Sequence, residues 1–197
     1  ILIPPGLDYI ISYFGCLFAG IIAVPAYPPR NRKRNNIKRV LNILKDAKAS
    51  IIISESKMIK NISEIISQND VKLLTVEEMH QYKSHKAWNS PNLNDNSIAF
   101  LQYTSGSTSA PKGVMVTHAN LIHNLEAQKT SFQISPDYVS VSWLPPFHDM
   151  GLINGILNVL YSDMTGIIMS PYIFLKNPLN WLKTISKYKA YISGGPN

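Results

Sequence analysis

Apolar positions along the chain recur at two spacings, and the switching between them outlines the elements. Ile1, Leu2 and Ile3 form an apolar run with no turn signal before it, which reads as a strand entered midway. Residues 7–19 read as a buried helix stopped by Gly20, and residues 21–24 as a strand. Over residues 36–48, Ile37, Val40, Leu41, Leu44 and Ala47 share one helical face. Ile51, Ile52 and Ile53 make a short buried strand. Met58, Ile59, Ile62, Ile65 and Ile66 mark a further helix, and residues 71–76 a strand. Residues 82–96 are polar and rich in turn formers, with Ser90-Pro91 and Asn94-Asp95-Asn96. This stretch places a boundary between a first subdomain, 1–90, and a second, 91–197.

In the second half, strands are predicted at 98–103 and 114–116 around a Ser/Thr/Gly loop, then a helix at 120–131 and a strand at 139–143. Residues 150–160 form a helix apolar nearly all round, hence buried. A strand at 166–169, a helix at 178–188 and a strand at 191–193 complete the pattern. Alternating strands and helices predict an α/β fold of largely parallel sheets flanked by helices. No internal repeat is visible. The open start at Ile1 and the ending at Gly194-Gly195-Pro196-Asn197 lead to the expectation that the chain is cut at both ends.

Charge changes this picture at one place. The net charge is +7, but Arg30, Arg32, Lys33, Arg34, Lys38 and Arg39 supply six of the 19 basic residues, and the other 13 nearly balance 12 acidic ones. Residues 9–29 carry no charge and precede this basic cluster, as a membrane span with a positive anchor would. Gly15, Gly20 and Pro25, Pro28 and Pro29 break the stretch into a helix and a strand, so no transmembrane segment is expected. The basic run could contact nucleic acid or an acidic partner. It reads better as the solvated start of an amphipathic helix, and no aromatic residues interleave with it as single-strand binding would want. Cys16 is the only cysteine, which excludes an internal disulfide and a cysteine-built zinc site, and a reducing, cytoplasmic compartment is expected.

The chemistry concentrates in residues 103–113, Tyr-Thr-Ser-Gly-Ser-Thr-Ser-Ala-Pro-Lys-Gly. Thr104, Ser105, Ser107, Thr108 and Ser109 place five hydroxyls around Gly106, and Lys112 and Gly113 follow. Gly106 lets backbone approach a ligand closely. Successive N–H groups and hydroxyls can encircle phosphate oxygens, and Lys112 adds a full positive charge. The order is not that of a Walker loop, in which Gly-Lys-Ser/Thr closes the motif; here Lys112 precedes Gly113. A Ser-rich surface loop is the bland alternative, disfavoured by the strands on either side.

This loop resembles the phosphate-binding signature of the adenylate-forming superfamily, which includes acyl- and aryl-CoA synthetases, luciferases, peptide-synthetase adenylation domains and fatty acyl-AMP ligases. The common form of the signature has a Gly after the second hydroxyl pair; Ser109 keeps a hydroxyl there instead. Residues 143–152, Trp-Leu-Pro-Pro-Phe-His-Asp-Met-Gly-Leu, resemble a second signature, that of the fatty acyl-AMP ligase branch. Residues 4–8, 24–29 and 193–197 resemble further landmarks of that branch, so the likeness spans essentially the whole chain. The resemblance implies ATP and Mg²⁺ as cofactors. It implies a nucleotide site drawing on residues 104–109, Lys112, Gly113, Ser193, Gly194, Gly195, Pro196 and Asn197, with Thr104 and Thr108 as hydroxyls for the metal. It implies an acyl site with Trp143, His148, Asp149, Met150 and Gly151, and catalytic roles for Lys112 and His148. It also implies a fatty acid substrate and an acyl carrier protein or polyketide synthase as acceptor, with an acyl-CoA synthetase as the alternative. Such enzymes further use an aromatic residue for adenine, a Glu for Mg²⁺, an acidic residue for ribose and a mobile C-terminal domain with a Lys, none of which this sequence supplies.

His148 and Asp149 also have a reading of their own. They stand at a strand-to-helix junction where Asp149 can cap the following helix, and the helix start favours an anion. His148 could donate a hydrogen bond to a carboxylate or acyl phosphate there. The bland alternative is a cap and a packed turn residue. His80, His85, His118 and His123 show no partner spacing, and the separation of His118 from His123 argues against a zinc pair. Two function classes follow: an ATP-dependent ligase, and a basic non-catalytic binding module.

Overall fold

The computed structural model describes residues 1–29, 34–67, 69–82, 88–104 and 111–196. The chain divides into two compact units, Ile1–Thr117 and His118–Asn197.

In the first unit, α1 (Leu7–Phe18) buries Tyr9, Ser12, Tyr13 and Cys16, which fall three and four apart on one face. Leu7, Ile11 and Phe18 are exposed, so the helix is buried on one face only. Gly20 ends it with φ +67. Its N–H donates to the Leu17 carbonyl at 3.0 Å and the Ile21 N–H to the Cys16 carbonyl at 2.8 Å. These are the paired bonds of a Schellman termination, which needs a left-handed residue where Gly20 stands. The strands expected at 1–3 and 21–24 are reduced to single bridges, Leu2 to Ser54 and Ala23 to Phe100. Pro4, Pro5 and Pro25 have no N–H to continue either ladder.

α2 (Arg34–Asp46) turns Ile37, Val40, Ile43 and Leu44 into the core and leaves Lys38 and Arg39 exposed. β1 (Ile51–Ser54) pairs in parallel with β2 (Lys72–Thr75) through a 3₁₀ turn and α3 (Ile59–Ser67), whose Ile62 and Ile65 are fully buried. α4 (Val76–Gln81) begins where a strand was expected to end. Apolar spacing gives no sign of it, but Thr75 and Glu78 form a capping box: the Thr75 side chain accepts from the Glu78 N–H, and the Glu78 carboxylate from the Thr75 N–H at 2.8 Å. β3 (Ile98–Tyr103) and β4 (Gly113–Thr117) form an antiparallel pair with Tyr103 opposite Gly113.

The units part after Thr117, beyond the 90/91 boundary expected from the polar stretch. Ala23 ties β3 into the first unit, its N–H donating to Ala99 at 3.0 Å and its carbonyl accepting from Leu101 at 2.9 Å. The described part of the polar stretch, residues 88–96, lies against that unit: a Cβ on Gly20 would come within 2.8 Å of Pro91 Cβ.

The second unit opens with α5 (His118–Ser131) and β5 (Val139–Ser142). A wide-turned π-helix, Met150–Leu157, runs into α6 (Asn158–Tyr161), and β6 (Thr165–Ile168), α7 (Pro171–Lys176), α8 (Leu179–Tyr188) and β7 (Ile192–Ser193) follow. The sheet order is β6-β5-β7, all parallel. Central β5 buries Ser140, Val141 and Ser142 in succession, as a strand covered on both faces does. The π-helix meets the end of β5 through glycines: a Cβ at Gly151 would stand 2.2 Å from the Pro145 carbonyl oxygen, and one at Gly155 would stand 2.6 Å from Ser142 Oγ. α7, absent from the apolar pattern, is announced by Ser170 as N-cap and Pro171 in the first turn. The sheets are thus parallel apart from the β3–β4 pair, within the expected α/β class. No helix among the described residues is long and apolar enough to cross a membrane.

Candidate functional site

The first unit carries the residues around the predicted phosphate loop. Residues 105–110, with Ser105, Gly106, Ser107, Thr108 and Ser109, lie outside the described residues. The neck from which they depart is described. β3 and β4 remain paired to their last residues, Tyr103 and Gly113. One step further the Thr104 N–H donates to the Lys112 carbonyl at 3.3 Å. Thr104 and Lys112 are both exposed. The hairpin therefore sets Thr104, with its hydroxyl, opposite Lys112, with its ammonium, at its open end, both exposed. A Cβ on Gly113 would lie 2.8 Å from the Tyr103 ring, so only glycine lets the ring sit across the neck. An apolar cleft of about 550 Å³ opens elsewhere in this unit, under α1 and α2; neither Thr104 nor Lys112 lines it.

The second unit holds two groups of candidate residues. At the start of the π-helix, the His148 N–H donates to the Pro145 carbonyl at 3.1 Å. Asp149 Oδ1 accepts the Met150 N–H at 2.7 Å and stands 2.5 Å from His148 Nδ1. Asp149 caps the helix as expected, though through the first N–H after it and not the second or third. With Nδ1–H given to Asp149, the neutral ring offers Nε2 as an acceptor and the imidazolium offers it as a donor. Both side chains are exposed, Met150 is half-buried and Gly151 is buried.

The other group surrounds the end of β7. Trp143 stacks on Phe174 with ring centroids 3.7 Å apart, and Trp181 meets both rings edge-on. The Trp181 Nε1–H donates to Ser193 Oγ at 2.7 Å, and the Ser193 hydroxyl donates to the Val141 carbonyl at 2.7 Å. A Cβ on Gly195 would lie 3.3 Å from Trp143 Cζ2 and 3.6 Å from Trp181 Cη2. The two indoles thus form a floor against which the exposed backbone of Gly195 rests, while Gly194 stands clear with no atom near its Cβ position. Trp143 Nε1 is buried without a partner. Pro196 is exposed, and Asn197 lies outside the described residues. Sequence reasoning picked out Trp143 and Ser193 but not Trp181 or Phe174, which stand at ordinary helical positions and carry no motif.

A family model described as "AMP-binding enzyme" matches residues 1–196. The chain belongs to the AMP-binding enzyme family. This AMP-binding chain is 41% identical over its whole length to the medium-chain-fatty-acid–[acyl-carrier-protein] ligase JamA of Moorena producens, of which it covers 34%. It is 35% identical, again over its whole length, to a 4-hydroxyphenylalkanoate adenylyltransferase of Mycobacterium tuberculosis, covering 33% of it. Among solved structures it resembles a fatty acyl-adenylate ligase from L. pneumophila in complex with acyl adenylate and pyrophosphate. That match has a TM-score of 0.87 at 43% identity and covers 99% of this chain and 34% of the other. The chain spans about a third of the length of these relatives. The expected superfamily and α/β class stand, and the non-catalytic binding module gives way to an enzyme family.

One expectation about titratable groups changes. His80 has a partner after all, Asp8 Oδ1 at 2.8 Å from Nε2, bridging the start of α1 and the end of α4. His118 and His123 lie on α5, and no group of three metal-ligating side chains occurs among the described residues. The Thr104 hydroxyl is a hard oxygen donor of the kind Mg²⁺ accepts when substrate phosphates supply most of its shell.

Proposed function

We propose that these 197 residues are the nucleotide- and acyl-gripping part of an enzyme that joins a fatty acid to AMP and releases pyrophosphate. The observation that carries this reading is the paired hairpin neck, which sets Thr104 opposite Lys112. A hydroxyl and a cation held together on rigid strands suit the outer phosphates of ATP, and charge-assisted hydrogen bonds there are worth about 1.5–3 kcal/mol each. The acyl carboxylate oxygen attacks the α-phosphorus, the bond to the β-phosphate oxygen breaks, and Lys112 faces the charge that moves onto pyrophosphate. Mg²⁺, with Thr104 and Thr108 among its ligands, would neutralise the triphosphate when bound. His148, oriented by Asp149, faces the carboxylate or acyl phosphate. Ser193, Gly194, Gly195, Pro196 and Asn197 line the adenine side, with Trp143, Met150 and Gly151 on the acyl side.

The acceptor is a carrier-protein phosphopantetheine thiol, a reading supported by the likeness to JamA, a medium-chain-fatty-acid–[acyl-carrier-protein] ligase, with CoA as the competing acceptor. The enzyme works in the cytoplasm. Exchange of labelled pyrophosphate into ATP by the full-length enzyme tests this. Exchange that depends on an added fatty acid is expected, and exchange with no carboxylic acid requirement would overturn the assignment. Acyl transfer to carrier protein and to CoA, measured side by side, separates the two acceptors.

A further inference from the structure

The phosphate-gripping reading leaves unexplained how the neck is fixed. Tyr103 is the last residue of β3 and adjoins Thr104, yet it is 5% exposed, whereas Thr104 and Lys112 lie in solvent. Its ring lies across Gly113, the first residue of β4, with Tyr103 Cζ 2.8 Å from where a Cβ would stand. Its hydroxyl donates to Asp46 Oδ2 at 2.5 Å. Asp46 is the last residue of α2, whose apolar face packs into the same core that holds Tyr103. One side chain thus touches both ends of the neck, the entry strand that it belongs to and the exit residue beneath it, and is itself anchored to a helix.

We infer that Tyr103 and Asp46 are a positioning pair that sets the spacing of Thr104 and Lys112 for the outer phosphates. The inference rests on the phosphate-gripping role proposed for that neck. Lys112 has a long, freely rotating stem, so its placement depends on the backbone that bears it. Among the described residues, one interstrand bond holds that backbone beyond the last paired residues, Thr104 N–H to the Lys112 carbonyl at 3.3 Å. A ring wedged over Gly113 and tied to α2 fixes the neck more firmly than that bond can. Burial, and then the hydrogen bond to Asp46, push the Tyr103 phenol well above its ordinary range, so it keeps its proton and remains the donor.

The test uses the full-length enzyme and reads the KM for ATP, kcat of pyrophosphate exchange, AMP affinity and melting temperature. Tyr103→Phe keeps the ring and removes the hydroxyl; Asp46→Ala removes the acceptor; Asp46→Asn keeps an acceptor oxygen. Tyr103→Phe and Asp46→Ala should each raise the KM for ATP about tenfold, the scale of one hydrogen bond to a charged group. AMP affinity should stay within twofold of wild type, about the factor left when the outer phosphates are absent. Asp46→Asn should recover most of the loss, and the double variant Tyr103→Phe/Asp46→Ala should be no worse than either single one. An unchanged KM for ATP in both single variants, or a lower melting temperature with that KM unchanged, overturns the pairing, as do losses that add in the double variant. Lys112→Ala is the reference. If it too leaves ATP binding intact, the phosphate-gripping reading itself fails; if it weakens binding while Tyr103→Phe and Asp46→Ala do not, only the positioning pair fails.

Discussion

At the scale of single residues, the candidate site depends on who holds what. Asp149 accepts both the His148 ring and the Met150 N–H on one oxygen, so the imidazole is tied to the helix start through a single carboxylate. Replacing His148 by Ala should therefore lower kcat of adenylation about 10²-fold, the usual cost of losing one donor to a developing charge, while the KM for ATP stays within about threefold. Steady-state kinetics on the full-length enzyme decide this, and an unchanged kcat with unchanged fatty-acid KM removes His148 from the acyl site. The place of His148 and Asp149 was legible because they stand between a predicted strand and a predicted helix, within a stretch that resembles a family signature. Tyr103, Asp46 and Trp181 were not. Each acts through a partner distant in sequence, 57 residues for Tyr103 and Asp46, and no local pattern marks such a pair.

At the scale of elements, caps mattered as much as periodicity. The helices read from apolar spacing are present, with ends shifted by a few residues, as expected of frayed termini. The two short ones, α4 and α7, were missed because six residues are too few to display a period. Their signals lay in Thr75-x-x-Glu78 and Ser170-Pro171. The capping box also has a consequence for pH. Hydrogen bonds from the Thr75 backbone and then its side chain hold the Glu78 carboxyl below its ordinary range. The folded pKa is depressed, so the stabilisation is present above the unfolded value, about 4.3, and is lost as pH falls through the lower folded value. Glu77, whose carboxylate accepts first from its own backbone N–H and then from Ser56, is shifted the same way. Wild type should exceed Glu78→Gln in melting temperature at neutral pH, and the gap should close in the acid range below about pH 4.3. Parallel melting curves for the two proteins at all pH values would refute the box as the source.

At the scale of the whole molecule, seven of the residues assigned to chemistry, Thr104, Lys112, His148, Asp149, Gly194, Gly195 and Pro196, are open to solvent, while Gly151 is buried. Charge stabilisation of a transition state weakens steeply when water screens it. The 197-residue chain alone should therefore bind ATP weakly and show no acyl-dependent pyrophosphate exchange above background. Turnover by this chain at the rate of the full-length enzyme would mean that water exclusion is not needed here. The α/β class was legible because strands and helices alternate in sequence. The division after Thr117 was not, since it follows from Ala23 reaching across to β3, a long-range pairing that no composition shift announces.

That same bridge constrains the order of events during synthesis. Ala23 waits for Phe100, 77 residues later, before its backbone finds a partner. At roughly 5–20 residues per second, the wait lasts about 4–15 s. Through that interval Tyr13 has no Phe100 ring to meet, and the 12-residue helix that carries it is marginal alone in water. The segment that carries α1 is thus incompletely folded for seconds during synthesis, and slowing translation just before the Phe100 codon would lengthen its exposure to holdases and proteases.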